Sequence, residues 1–410
     1  MTDLRPSRAI FLLMTLAILA PCTPAFAATL TVSPLLPGAF QTIQAAVDSA
    51  NPGDSIVIMS KGTPYTEDVR IAGKQDLTMT ANRGVVLQRG GGPAADGIVR
   101  VENSRRITIR GLLIFCDDRA ARRGFVFTNV VDVDLEASAA DVCAAGVAVI
   151  APATHTVIRG SVFTDDAVGV DVRGGSDTLI ESSKSFRCDT GVRSAGHGTR
   201  ILRFRAEDSG ADGVACTGGA NLLVDGGGFY GNSIAAVNLR GGCRSASVRG
   251  TVMNCKPISQ PPKFPNPPLP NGFSGITVQN SGVYRITNNV VSGCSGTGML
   301  LTPDPNFLSA PGGGYVAFNT VSGCTGSGFQ VDAAFDGWVL EGNTATANRG
   351  NGFRVNSSRN VLVRNVALAN TGGGFVLGEE SQVNGRDNIN PADNVGIDNQ
   401  SDGLIPLDLQ

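Results

Sequence analysis

The sequence has few of the side chains on which enzymes and nucleic-acid-binding proteins depend. Only two of its 410 residues are His and one is Trp, so the usual catalytic side chains are scarce. The formal net charge of −2 argues against a nucleic-acid partner, because such a partner requires a basic face. No Cys-x-x-Cys motif occurs, and we predict no metal site.

Long apolar runs are also missing after the N-terminus. Arg5 and Arg8 precede an apolar stretch from Ile10 to Ala20, and Ala25-Phe26-Ala27 places small residues where signal peptidase cleaves. We therefore expect a signal peptide that is cleaved near Ala27, and a protein that is secreted, periplasmic or held at the cell surface. No later segment approaches ~20 apolar residues, so no transmembrane segment is expected.

Glycine is abundant instead, with 53 residues, and it marks a repeat of short strands. From Gly124 to Ala236, a Gly followed by alternating apolar residues recurs every 22 or 23 residues, and a second strand lies upstream in each unit. This period, with two-residue alternation inside it, predicts strands and not helices. One unit cannot bury its own apolar side, whereas parallel stacking of equivalent strands does so. The repeat begins at Gly97, Gly124, Gly146, Gly169, Gly191, Gly213, Ala236, Gly275, Gly298, Gly328, Gly352 and Gly374.

The turns follow the same repeat. Asn289, Asn319, Asn343 and Asn365 fall at one position, where Asn tolerates a left-handed backbone and stacked amides can form a ladder. These strands and turns resemble the pectin-lyase-like superfamily over roughly residues 38–378. The resemblance implies an all-β fold, a right-handed parallel β-helix of about 12 coils. Enzymes, adhesins and accessory proteins share that fold, so it decides little about function.

The N-terminal segment predicts a cap for the first coil. Residues 40–47 are typical of a short amphipathic helix with Thr42 as N-cap, and Pro52-Gly53-Asp54 ends it before a strand. This opening resembles the cap of many β-helix proteins, including periplasmic carbohydrate-binding and copper-enzyme maturation relatives. We divide the chain into a signal peptide (1–27), a cap with the first strands (28–75), the parallel β-helix (76–378) and a C-terminal cap or tail (379–410).

Three cysteines fall at one repeat position on successive coils. They are Cys255, Cys294 and Cys324, and Cys188 occupies the equivalent place in its own coil. Neighbouring coils lie ~4.8 Å apart, which is within disulfide range. We predict a Cys294–Cys324 disulfide, with Cys255–Cys294 as the alternative pairing. An inward ladder of unpaired thiols is equally compatible with the pattern.

The other cysteines support export as well. Eight of the nine cysteines follow Cys22, an even number that permits disulfides in an oxidising compartment. Cys116 and Cys143 lie one coil apart, and we predict that they pair. Lipidation of Cys22 is an alternative to the soluble mature chain, although Pro21 before it disfavours that reading.

Alternation along the Gly-apolar strands assigns every second residue to the outer side of a sheet. Arg, Asp, Asn and Gln at steps of ~4.8 Å suit an extended sugar chain, and the bidentate pairing of Arg with carboxylates favours an acidic polysaccharide. A solvated face on which Asp171 pairs with Arg193 of the next coil is the alternative. The residues predicted to bind substrate are Asp171, Arg193, Asn238, Arg240, Gln279, Gln330 and Arg354.

The motifs of polysaccharide-active β-helix enzymes are mostly missing. Of the polygalacturonase-like set, only Asp165-Asp166 and Gly196-His197-Gly198 occur, and they fall at different corners of the coil. Lyase chemistry of the pectate-lyase type needs cations beside a uronate, and Asp171, Arg173 and Arg193 are the catalytic candidates, with calcium as the possible cofactor. The Trp-Ile-Asp-His motif of pectate lyases and the Asp-Pro-His motif of alginate epimerases are absent.

Two insertions interrupt the spacing, a Pro-rich one at 256–271 and a second from Pro303 to Gly314. They could wall a cleft in which Phe264, Phe273 and Phe307 stack on sugars, or be plain surface loops. We expect an exported protein that binds polysaccharide or another cell-envelope component. The alternative is a lyase or epimerase that acts on uronic-acid polymers, and an accessory role in copper-enzyme maturation is a third hypothesis.

Overall fold

The computed structural model describes residues 27–90, 97–255, 274–279, 282–303, 313–357, 359–377 and 394–399. These residues form a parallel β-solenoid of about 13 turns, close to the predicted 12, with one short helix. The predicted signal peptide before Ala27, the Pro-rich insertion at 256–271, and Phe264, Phe273 and Phe307 lie outside the described residues. The described part of the chain contains no helix that is long and apolar enough to cross a membrane.

Each turn contributes a strand to each of three parallel sheets. Sheet 1 contains the Gly-apolar strands β4 (Val69–Ala72), β11 (Val168–Val172), β14 (Thr190–Ser194), β17 (Asp212–Cys216), β20 (Ala235–Leu239), β23 (Ser274–Val278), β26 (Met299–Leu301), β29 (Phe329–Val331), β32 (Phe353–Val355) and β35 (Phe375–Leu377). Sheet 2 contains β1 (Thr29–Val32), β2 (Ser55–Ile58), β5 (Gln75–Ala81), β12 (Leu179–Glu181), β15 (Arg200–Leu202), β18 (Leu223–Asp225), β21 (Ser247–Arg249), β24 (Val283–Thr287), β27 (Gly313–Ala317), β30 (Trp338–Glu341) and β33 (Val361–Val363).

Sheet 3 precedes sheet 1 in each turn. It contains β3 (Tyr65–Thr66), β6 (Val86–Gln88), β10 (Val162–Thr164), β13 (Lys184–Phe186), β16 (Arg205–Glu207), β19 (Gly228–Tyr230), β22 (Val252–Asn254), β25 (Val290–Ser292), β28 (Thr320–Ser322), β31 (Thr344–Thr346), β34 (Val366–Leu368) and β36 (Val395–Ile397). Three long strands run through more than one sheet, namely β7 (Val99–Arg110), β8 (Leu113–Glu136) and β9 (Ala139–Arg159).

The register within sheet 1 follows the glycine repeat. Val170 pairs with Val192, and Val192 pairs with Val214. A Cβ atom on Gly191 would lie only 2.4 Å from the carbonyl oxygen of Gly213, so successive backbones approach too closely here for a side chain. The predicted vertical alignment of equivalent positions is therefore confirmed.

The interior is filled by stacked apolar side chains. In the last coils, Phe353 lies between Phe329 and Phe375, with ring centroids 4.7 and 4.9 Å apart and nearly parallel planes. Valine, isoleucine and leucine occupy most of the other inward positions and are buried. Identical rings therefore stack from coil to coil, as the parallel register requires.

The predicted asparagine ladder is confirmed at the turn between sheets 2 and 3, but the left-handed backbone expected at these positions belongs to the residue before each Asn. The side-chain amides of Asn289, Asn319, Asn343 and Asn365 each donate to the side-chain oxygen of the next Asn, at 2.9 to 3.1 Å. The last acceptor is Asn394, which precedes strand β36. Because β36 pairs with β34, the solenoid continues beyond residue 378, within the segment that we assigned to a C-terminal cap or tail.

The N-terminal helix caps the first coil as expected. Helix α1 (Ile43–Ser49) begins after Thr42, whose hydroxyl accepts a hydrogen bond from the backbone N–H of Ala45 at 3.2 Å. The carboxylate of Glu67 accepts the N–H groups of Ile43 and Gln44 at 2.9 and 3.0 Å. The side chain of Ile43 is buried against the core. The helix therefore covers apolar surface that the first coil would otherwise expose.

The described residues form three disulfides, and they correct one prediction. Cys116–Cys143 forms as predicted. The predicted Cys294–Cys324 bridge is wrong, because Cys294 pairs with Cys255, the alternative partner. Cys294 and Cys324 are in register, whereas Cys255 aligns with Gly293, one residue before Cys294, so the repeat position predicted for Cys255 is wrong as well. Strand register therefore did not choose the bonded pair. Cys324 and Cys188 are free and buried.

The third disulfide, Cys216–Cys243, was not anticipated. Cys216 ends strand β17, whereas Cys243 lies in the turn after β20, so the two do not share a repeat position. Cys216 and Cys243 are 27 residues apart in sequence, as are Cys116 and Cys143. This equal separation could have predicted the Cys216–Cys243 disulfide from the sequence.

Candidate functional site

The predicted outward residues form one continuous column on sheet 1. Asp171 pairs in register with Arg193, Arg193 with Ala215, Ala215 with Asn238 and Asn238 with Thr277. Neighbouring strands are ~4.8 Å apart, so these side chains stand side by side on the outer surface of the sheet.

Asp171 binds two arginines at once. Its carboxylate accepts hydrogen bonds from Nε and Nη2 of Arg193 at 2.9 and 2.6 Å, and from Nε of Arg173 at 2.5 Å. Both carboxylate oxygens are therefore occupied. Pairing with Asp171 raises the pKa of Arg193 above its usual value. The two parallel hydrogen bonds fix the plane of the Arg193 guanidinium group. A lysine at this position has a single ammonium group and would not be oriented in this way.

Two coils further on, Asp212 forms a second polar group with residues of the next strand. The side-chain amide of Asn238 donates to its two oxygens at 3.2 and 3.3 Å, and Nη2 of Arg240 lies 3.5 Å from Oδ2. Burial raises the pKa of Asp212 to about 6, although Arg240 and Asn238 oppose that shift. This carboxyl group therefore changes charge in the mildly acidic range.

The carboxylates lie beneath the guanidinium groups. The side chains of Asp171 and Asp212 are 1% and 0% exposed, whereas those of Arg173, Arg193 and Arg240 are 45%, 38% and 43% exposed. The groups that a ligand can contact are therefore the guanidinium groups, and the buried carboxylates hold them in position. Both Asp171 and Asn238, which were predicted to touch substrate, are buried. Asp171 binds Arg173 and Arg193 instead, and Asn238 donates to Asp212.

Small residues separate the arginines. Backbone hydrogen bonds place Arg173, Ala195, Thr217 and Arg240 on four successive coils, in one column. The backbones of Arg173 and Arg240 are thus three strand steps apart, ~14 Å. The buried Ala215 lies in the parallel column, between Arg193 and Asn238. Small side chains therefore lie between the arginines on this surface, and we call the surface formed by Arg173, Arg193 and Arg240 with the small residues between them the arginine face.

Of the remaining predicted binding residues, Gln330 and Arg354 lie apart from the arginine face. Leu300 follows Thr277 in the column and interrupts the polar surface before Gln330 and Arg354. Gln330 donates to Asp332 at 2.7 Å, and Arg354 donates to Asn356 at 3.4 Å. Gln279 is half-buried at the end of β23. Gln330 and Arg354 are thus separated from the arginine face by Leu300, whereas Gln279 follows Arg240 in its column, one coil further on.

The partial hydrolase motifs do not meet. Asp165 follows β10, at the turn from sheet 3 to sheet 1, where it pairs with Arg187 at 2.5 Å. His197 lies at the turn from sheet 1 to sheet 2, bridged to Ser176 and Ala220. The two motifs therefore occupy different corners, as their repeat positions predicted.

Sequence reasoning missed Asp212. It directly precedes Gly213, and the alternation rule starts counting outward residues only after that glycine. A Cβ on Gly213 would lie 2.7 Å from the core side chain of Phe229, so Gly213 and Val214 both face inward and the alternation is interrupted. Asp212 lies on the outer side, where it accepts from Asn238. Among the described residues, no group of three or more His, Cys, Asp or Glu side chains is arranged to hold a metal ion.

Comparisons with known proteins agree with the architecture. Residues 269–404 match the family described as "Right handed beta helix region". No curated protein matches the chain in sequence. The catalytic unit of a thermostable GH87 α-1,3-glucanase from Streptomyces thermodiastaticus has a similar structure, with a TM-score of 0.57 and 10% identity over 93% of this chain and 71% of that one.

A second similar structure belongs to the Streptococcus pneumoniae surface protein and adhesin PfbA. The TM-score is 0.50 and the identity 13%, over 82% of this chain and 94% of that one. At such identities the likeness concerns the fold alone. An enzyme and an adhesin thus have the same scaffold, and the side chains on it must decide between them.

Proposed function

We propose that this right-handed parallel β-helix protein is exported and binds an acidic polysaccharide on its arginine face, without altering it. The observation that carries the proposal is the arrangement of Arg173, Arg193 and Arg240, whose exposed guanidinium groups border a floor of small residues. Carboxylates of a uronic-acid chain are suited to such groups, which form two parallel hydrogen bonds with them.

Charge and shape both support an anionic chain as the ligand. Asp171 neutralises only one of its two arginines, so the face keeps a net positive charge in a protein of net charge −2. Arg173 and Arg240 lie in one column across the parallel strands and Arg193 lies in the neighbouring column, so the arginines are spread over ~14 Å of the sheet, which fits an extended polymer better than a compact ligand. Three disulfides suit an oxidising compartment outside the cytoplasm, where such polymers occur.

The burial of the two carboxylates favours binding over catalysis. A lyase or epimerase needs a base that reaches the sugar ring, and a hydrolase needs an acid and a base on either side of the bond. Asp171 and Asp212 are covered by the arginines and reach neither position. The role of these two carboxylates is to orient the guanidinium groups of the arginine face.

The test compares binding of polygalacturonate, alginate and an uncharged glucan by calorimetry. We expect binding of the two polyuronates alone, weakened by salt. Arg240→Ala should lower the affinity by roughly 10-fold or more, since hydrogen bonds to charged groups contribute ~1.5–3 kcal/mol. Arg249→Ala is the matched control, because Arg249 pairs with Asp225 at 2.7 Å on sheet 2, away from the arginine face.

Equal affinity for the uncharged glucan, or equal loss in the Arg249 variant, would exclude the arginine face as the binding site. Ultraviolet absorbance from 4,5-unsaturated products in the same mixtures would instead identify a lyase. In that case, the loss of activity in Arg193→Ala would assign the reaction to this face.

A further inference from the structure

The outer side of sheet 2 carries charges that alternate in sign along the solenoid. One column of outward residues runs through strands β7, β8, β9, β12, β15 and β18, and each residue pairs in register with the next. Leu202 is its uncharged member, and the adjacent turn residue Arg203 supplies the positive charge at that coil. In chain order, this charged column consists of Arg110, Glu136, Arg159, Glu181, Leu202 and Asp225.

Ion pairs between neighbouring coils hold the charged column in place. Glu136 binds Arg110 at 2.7 Å and Arg159 at 3.4 Å. Glu181 binds Arg159 at 2.9 Å and also binds Arg203. The side chains of Arg110, Arg159 and Arg203 remain exposed, so their guanidinium groups are free to contact a partner. Sheet 2 therefore presents ordered charges at steps of ~4.8 Å.

A second outward column lies beside the charged column and contains two unpaired charges. Its members, again paired in register, are Thr108, Asp134, Val157, Leu179, Arg200 and Leu223. Within the part of the chain that the structure describes, neither Asp134 nor Arg200 forms an ion pair. Burial raises the pKa of Asp134, and the negative charge of Glu136 adds to the increase. The three apolar members of this column are half-buried.

The alternating charges distinguish between two ways of packing a second copy on sheet 2. In a face-to-face dimer with twofold symmetry, the axis lies in the interface and runs along either the solenoid or the strands. An axis along the solenoid places each coil opposite the same coil of the partner, so like charges face each other. An axis along the strands reverses the order of the coils. If that axis lies between two neighbouring coils, every positive position of the charged column faces a negative one, which favours association.

We propose that sheet 2 is the interface of a symmetric dimer of this chain, in which the two solenoids are antiparallel and the twofold axis lies between strands β9 and β12. Strands β9, β8 and β7 then face strands β12, β15 and β18 of the partner. Arg159 lies opposite the partner's Glu181, and Arg110 lies opposite the partner's Asp225. The symmetry repeats each contact, so both copies contribute the same pairs.

The second column selects this position of the axis. Asp134 of each copy lies opposite the partner's Arg200, so both unpaired charges acquire partners of opposite sign. Val157 lies opposite the partner's Leu179, next to the axis, where the two apolar side chains are removed from water together. An axis one coil away in either direction would place Asp134 or Arg200 opposite an apolar side chain instead. The position between β9 and β12 therefore suits both columns.

The arginine face is not part of this interface, because it lies on sheet 1. Both copies therefore keep it free, and the dimer carries two such faces. Most contacts across the interface join charged groups that also have partners within their own chain, so each contact contributes little to the free energy of association. We expect a weak dimer whose stability falls as the salt concentration rises.

Sedimentation velocity of the purified protein tests the proposal. At ~100 µM protein we expect a dimer in ~50 mM salt and a monomer in ~500 mM salt, because salt screens exposed charges. Arg200→Glu and Asp134→Arg each place like charges opposite each other at two positions of the interface, so each variant alone should be monomeric. In an equimolar mixture of the two variants, opposite charges face each other again, and the dimer should return.

Arg354→Glu is the matched control, because Arg354 is exposed on sheet 1 and the change of charge is the same. This variant should form the dimer as the unsubstituted protein does. A protein that stays monomeric in low salt would overturn the proposal, and so would a dimer that persists in Arg200→Glu. A mixture of the two folded variants that remains monomeric would equally contradict it. Circular dichroism verifies the fold of each variant, and if Asp134→Arg does not fold, Arg200→Glu and the salt dependence decide.

Discussion

Asp166 occupies the same place in the solenoid as Asn348. Oδ1 of Asp166 accepts a hydrogen bond from the backbone N–H of Cys143 at 2.7 Å, and Oδ1 of Asn348 accepts one from the N–H of Cys324 at 3.0 Å. Asp166 is almost completely buried, and burial raises the pKa of its carboxyl group well above its usual value. A buried carboxyl group whose pKa is raised thus takes the place of an amide in the turn ladder.

Asp166→Asn should therefore preserve the fold and increase stability at neutral pH. The native carboxyl has a raised pKa, so the unfolded chain releases its proton first, and stability declines as the pH rises above about 4. The amide carries no charge and abolishes that decline. Urea unfolding between pH 4 and 7 should show a gain of at least ~1 kcal/mol for Asp166→Asn at pH 7. Asp166→Ala is the control, since it removes the acceptor for the N–H of Cys143. An equal gain in stability in Asp166→Ala would show that the amide introduced by Asp166→Asn does not replace the carboxyl group as hydrogen-bond acceptor.

The carboxyl of Asp212 should produce a second pH dependence of stability. Its pKa is raised to about 6, so its contribution is complete below about pH 4 and is lost as the pH rises to about 6. Two pKa units correspond to about 3 kcal/mol. Asp212→Asn should remove this loss from the free energy of unfolding. An unchanged pH profile in the variant would show that Asp212 titrates normally in the native protein.

The same group should tune the affinity of the arginine face. Protonation of Asp212 below pH 6 removes a negative charge 3.5 Å from Arg240, so the face becomes more positive. Binding of a polyuronate, which stays ionised at pH 5, should tighten several-fold between pH 7 and pH 5. The Asp212→Asn variant should bind with similar affinity at both values. Calorimetry on the two proteins checks this, and weaker binding at pH 5 would count against the arginine face.

The asparagine ladder should be most sensitive at its centre. Asn343 accepts from the N–H and the amide of Asn319, both at 3.0 Å, and donates to Val316 and Asn365 at 2.8 and 3.0 Å. Asn343→Ala leaves several buried groups unpaired, each at ~1–3 kcal/mol, so we expect a loss of about 3 kcal/mol or more. Asn394→Ala, at the half-buried end of the ladder, should cost clearly less. Equal losses in chemical denaturation would argue against a cooperative ladder.

Substitutions in the interior stack of phenylalanine rings should also lower the free energy of unfolding. Phe353 is completely buried between two parallel rings, so Phe353→Ala removes both contacts and leaves a cavity. We expect a loss of ~3–5 kcal/mol in the free energy of unfolding. Phe353→Leu keeps most of the volume and should lose about half as much. If Phe353→Ala and Phe353→Leu lost the same free energy of unfolding, the loss would not come from the cavity and the missing ring contacts.

The repeat in the sequence was sufficient to predict the architecture. Strand alternation and a constant spacing identified the vertical alignment of Val170 and Val192, the column from Asp171 to Thr277, and the asparagine turns. These features depend on local periodicity, which stacked parallel strands convert directly into contacts. The helix cap at Thr42 was predictable for the same reason, because capping involves residues three positions apart.

Choices between equivalent neighbours were decided only by the tertiary structure. Cys294 has cysteines on both adjacent coils, and the pairing with Cys255 depends on side-chain placement that periodicity does not encode. Similarly, the sequence assigned Asp171 to the outer side of the sheet, but not its burial beneath Arg173 and Arg193. The period of the sequence repeat determines which residues become neighbours. Burial and pairing depend on the packing of all the surrounding side chains, which the period does not determine.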